Sequence, residues 1–123
     1  MNYWFLAAAI LSAFTCAVHV ILGGRESVRP LLAATHFDHV AKFTNYYCWH
    51  LVTIAIATLA VMFAMAARSR ESDDLAVVAS AVALMFTLWN FGMIARHRLH
   101  PLQFPQWALF LPIACVGFAG VVV

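Results

Sequence analysis

Charge is what this 123-residue chain has least of: Asp, Glu, Lys and Arg together make 10% of it, against 65% hydrophobic residues. A soluble domain carries about 25% charged residues. A larger core cannot absorb the difference, because a small domain keeps a large surface for its volume. Lipid is the remaining solvent for so much apolar surface. Seven basic and five acidic residues, net +2, are too few and too scattered for a nucleic-acid partner. Cysteine is scarce too, and Cys16, Cys48 and Cys115 form no C-x-x-C pair. They read as small packing groups in or at the ends of apolar segments and say nothing of redox compartment. Past the entry to an apolar segment, where Pro105 sits, proline occurs once, at Pro112, where it is expected to kink a helix. None of these segments has the mid-membrane break or acidic relay of a transporter. Basic residues are missing from Met1-Asn2-Tyr3, so the first apolar run is a poor secretory leader.

What is there is a set of four apolar runs, at about 3–22, 46–67, 75–95 and 104–123, none containing Asp, Glu, Lys or Arg. Roughly 20 helical residues cross a hydrocarbon core, and each run has that length. The expected fold is all-α: one domain over 1–123, an integral membrane antiparallel four-helix bundle.

The connections carry most of the charge. Ser72 is placed to cap the third helix, with Asp73 and Asp74 in its first turn, where the helix dipole favours acids. Gly23-Gly24 is read as the stop of the first helix. Pro30 then suits the first turn of a short interfacial helix over about 30–43. In that helix Leu32, His36, His39 and Phe43 share one side, with Asp38 and Lys42 on the other. Arg25, Arg29, Lys42, Arg96 and Arg98 fall at the face of the first and third connections, and only Arg68 and Arg70 at the other. The positive-inside tendency then places those two loops in the cytoplasm of a bacterial inner membrane, with both termini outside.

Small residues recur four apart, as in Ala9/Ala13/Ala17, Ala60/Ala64 and Ala79/Ala83. In lipid such ridges let helices approach closely, within a bundle or between protomers.

Antiparallel threading puts all six histidines at one membrane face. His19 lies near the end of the first run, His50 near the start of the second, His36 and His39 between them, and His97 and His100 after the third. Polar stripes continue the pattern into the helices: Ser12, Cys16 and His19; Tyr46, His50 and Thr53; Thr87, Asn90 and His97; Gln103 and Gln106 with Phe110 and Gly117. Polar groups in lipid need partners, so the stripes are expected to turn toward each other. The result would be a funnel, His-rich at one face and sealed at the other.

Two H-x-x-H segments, His36 to His39 and His97 to His100, place imidazoles three residues apart. Neutral imidazole suits zinc, copper and iron. His19 and His50, one turn inside the same face, are the natural pair for a bis-histidine haem b, with Asn90 and Gln106 as hydrogen-bonding neighbours. The leading functional expectation is therefore a transition-metal or haem protein in redox or metal handling. Two others stand beside it. One is a structural or accessory subunit of a larger membrane complex, or a homo-oligomer, without cofactor. The other is a lipid- or quinone-modifying enzyme using a histidine as general base.

Overall fold

A computed structural model describes all 123 residues, and every regular element is helical. Four rods make up the chain. The first, α1, runs from Tyr3–Ala33, and α2 spans His39–Arg68. A short 3-10 turn, Arg70–Ser72, leads into α3, Asp73–His97, and α4 spans Trp107–Val122. The first three rods are long and apolar enough to cross a membrane; α4, with 16 residues, is shorter.

Each rod packs mainly on two neighbours: α1 on α2 and α4, and α3 on α4 and α2. This closes an antiparallel ring. Its core occupies one half of its length: Phe5, Ala8 and Ala9 from α1; Ile56, Leu59, Phe63, Ala66 and Ala67 from α2; Ala76, Ala79 and Ala83 from α3; Phe110, Ile113 and Ala114 from α4. Small side chains let the backbones come close. A Cβ at Gly117 would strike Ser80 Oγ and the Phe63 ring, and one at Gly120 would lie 2.6 Å from the Phe5 ring. Glycine at these two positions makes room for two fully buried phenylalanines.

Asn2 locks this end. Its side-chain oxygen accepts from the backbone N–H groups of Trp4 and Phe5, at 3.0 and 3.4 Å, which caps α1. Its amide donates to the Gly120 carbonyl of α4 at 2.9 Å. Its own backbone N–H donates to the Ala67 carbonyl of α2 at 2.9 Å. One residue thus satisfies terminal groups of three helices, which would otherwise lack partners.

Two departures from the sequence reading reshape the other end. Gly23-Gly24 does not stop the first helix. The helix runs through both glycines, and residues His19–Val28 wind as a π-helix before α-helical geometry resumes over Arg29–Ala33. Pro30 sits in the first turn of that resumed segment, where its missing N–H costs little. Secondly, no interfacial helix covers 30–43. The chain leaves helical geometry at Ala34, and Asp38 starts α2, its carboxylate accepting from the N–H groups of Val40 and Ala41 at 3.0 and 3.1 Å. Lys42 reaches back and donates to the Leu32 carbonyl at 3.2 Å, a favourable place for a cation at a helix C-terminus. Asp38 and Lys42 therefore tie two rod ends instead of decorating the wet side of one helix. Ser72 stands at the N-cap of α3 without a side-chain bond there.

Candidate functional site

The polar stripes point inward at some positions and not at others. Ser12, Ser80, Thr87 and Asn90 are buried, whereas His50, His97, Gln103 and Gln106 are exposed. The buried hydroxyls are not bonded to one another. Each donates to the carbonyl four residues earlier in its own helix: Ser12 to Ala8, Ser80 to Ala76 and Thr87 to Ala83, at 2.7 to 3.0 Å. That local bond removes the need for a partner across the bundle. Asn90 is the cross-helix exception. Its amide donates to Gln106 Oε1 at 3.2 Å, and its oxygen accepts from the Trp107 N–H at 3.3 Å. The two amides join α3 to the start of α4.

Five of the six histidines are exposed, and His19 alone is half-buried. His36 sits in the turn before α2, against Phe37 with ring centroids 4.9 Å apart. His39 opens α2 and leans on Phe43 at 4.8 Å. His97 is the last residue of α3. His100 lies in the following turn, where its Nδ1 accepts from the Leu102 N–H at 3.3 Å. Nowhere do three His, Cys, Asp or Glu side chains gather as a metal-binding group. Neither substantial cavity lies among the imidazoles. One, of about 340 Å³, is lined by residues near Asn2 and Arg68; the other, of about 450 Å³, is a wholly apolar groove between α1 and α2.

What the fold does bring together is His19, Trp49 and His50. The His19 ring stacks on the Trp49 indole with centroids 4.6 Å apart and planes 20° from parallel. His50 meets the other ring system edge-on, 5.1 Å from Trp49 and 4.6 Å from Tyr46. His19 Nε2 lies 3.3 Å from the Trp49 carbonyl oxygen. A carbonyl only accepts, so Nε2 carries the proton in this contact. In the neutral ring Nδ1 then holds a free lone pair. In the sequence Gly23 reads as a helix stop, and nothing sets Trp49 apart from the other aromatic residues. Both belong to this cluster, since a Cβ on Gly23 would lie 3.6 Å from Trp49 Nε1 and 3.9 Å from His19 Nδ1. The π-wound stretch begins at His19, and such stretches are frequent at functional sites.

Charge is distributed unevenly. The histidine end has Arg25, Arg29, Lys42, Arg96 and Arg98 against Glu26 and Asp38, leaving it net positive. The opposite end sets Arg68 and Arg70 against Glu71, Asp73 and Asp74.

The architecture is thus an all-helical bundle of four rods, three of them of membrane-crossing length and composition. No family model, curated protein or solved structure matches the chain.

Proposed function

We infer that this chain is an integral membrane protein whose histidine end binds an amphipathic ligand of the lipid or quinone class, with His19 as the anchoring acceptor. Support for the membrane comes from the outer surface. Ile10, Phe14, Ile54, Val61, Met85, Leu88 and Trp89 are all exposed, on rods whose inward faces are already filled. Apolar exposure on this scale suits lipid rather than water.

One observation carries the ligand reading: the backbone of α2 fixes the His19 ring so that Nδ1 presents its lone pair at a half-buried position. A neutral imidazole so held accepts a hydrogen bond or a proton from a bound group. The metal and haem expectation fits the residues less well. Zinc, copper or iron needs several lone pairs converging. Here the His19 ring has an indole stacked against it, and that indole's only polar group is a donor. His19 and His50 also each pack on that indole, with ring centroids 4.6 and 5.1 Å away.

The test uses the full chain in lipid nanodiscs and a decyl-substituted benzoquinol as probe. His19→Ala is expected to raise Kd at least tenfold while helicity stays unchanged. Equal affinity in the two proteins would overturn the reading.

A second reading, an accessory subunit or homo-oligomer, draws on the apolar groove between α1 and α2. Ala13, Ala17, Ala57 and Ala60 line it with Cys16, so part of the small-residue ridge faces outward. Such surfaces suit close approach of another helix.

A further inference from the structure

The histidine end presents one place where a donor and an acceptor stand side by side without partners. The indole N–H of Trp49 makes no hydrogen bond within the chain, and neither does His19 Nδ1, whose ring is committed through Nε2. No buried polar side-chain atom lacks a partner, so both nitrogens, lying on half-buried side chains, are reachable from outside. Both also lie close to one point. The position that a Cβ of residue 23 would occupy is 3.6 Å from Trp49 Nε1 and 3.9 Å from His19 Nδ1, with no third atom nearer. Gly23 holds that position empty. Its φ is not positive, so its backbone does not require glycine there.

We propose that Gly23, His19 and Trp49 form a recognition site for a hydroxyl group carried on an apolar body. Indole N–H is a donor only, and the lone pair on Nδ1 is an acceptor only. A hydroxyl is the smallest group that answers both, accepting from the indole and donating to the imidazole. To answer both, its oxygen has to sit outward of the Cβ position, clear of the Gly23 backbone and roughly 2.8–3.0 Å from each nitrogen. A methyl ether or a quinone carbonyl can accept but cannot donate, so it leaves Nδ1 unanswered. A cation meets the indole proton and is repelled. This names the ligand chemistry of the site and rests on the lipid- or quinone-type reading above. A quinol and a hydroxyl-bearing lipid share this chemistry.

The experiment follows the indole N–H resonance of Trp49 in the ¹⁵N-tryptophan-labelled full chain in nanodiscs, identified by its loss in Trp49→Phe. The probes are a decyl-substituted benzoquinol and 1-decanol, each beside its O-methylated derivative. The expected result is a titratable downfield shift with at least one hydroxyl probe and at least tenfold weaker binding of its methylated partner. The probe that responds separates the quinol source from the lipid one. Gly23→Ala is expected to abolish that shift while leaving melting and helicity intact, because its methyl meets only ordinary contacts. If hydroxyl and methylated probes bind equally, with Gly23→Ala like wild type but His19→Ala impaired, the hydroxyl site is overturned and the broader ligand reading stands. A Trp49 signal unmoved by every probe overturns both.

Discussion

At the end where the chain starts, Phe5 and Phe63 are fully buried, Ala76, Ala79 and Ala83 pack without exposure, and Asn2 ties three helices together. At the other end, five imidazoles stand exposed, one helix runs as a π-helix for ten residues, and the first two rods are joined by an irregular turn. The same four helices supply both ends. The difference lies in side-chain size at the contact. Alanine and glycine let backbones close on one another at the packed end, whereas the His, Trp, Tyr and Arg side chains of the other end stay exposed or half-buried. Rigidity at one end and accessibility at the other is the arrangement expected when a scaffold presents a site at its mouth.

That contrast can be broken by substitution. Phe63→Ala is expected to cost most, about 3–5 kcal/mol, by opening a cavity where the surroundings are already close-packed. A loss below about 1 kcal/mol in reversible unfolding in mixed micelles would mean that the packed half is looser than its burial implies. Next comes Asn2→Ala, which removes a helix cap and the bond to the Gly120 carbonyl; about 1–2 kcal/mol is expected. Fluorescence of a probe at the same end would report its fraying before global melting. Smallest are His36→Ala and His97→Ala, each within about 0.5 kcal/mol, because both rings are exposed and hydrogen-bonded to nothing in the chain. A melting shift as large as that of Asn2→Ala would show that the histidine end is structural after all.

Much of the scaffold was legible from the amino acids. Four apolar runs gave four helices, and Asp73 and Asp74 marked the first turn of α3. Ala79 and Ala83 lie in the core, but Ala13 and Ala17 lie on an outer groove, and spacing alone cannot tell these apart. The first connection departs from its sequence pattern for a physical reason. An amphipathic pattern persists from Pro30 to Phe43, and Thr35-His36-Phe37 contains neither glycine nor proline to mark a break. Asp38 was the available signal, since a short acidic side chain just before an unbroken run is a strong N-cap. Gly23-Gly24 misled in the opposite direction, because glycine permits a stop without imposing one. At the candidate site, His19 was legible as a polar group inside an apolar run. Trp49 was not, because its indole gains meaning only once α1 lies beside it.

The clasp made by Asn2 joins residues 118 apart in sequence. It cannot form before α4 has been made. Capping of α1 by the same side chain needs only Trp4 and Phe5 and can come early, so the bond to Gly120 is the step that waits for α4 and closes the ring.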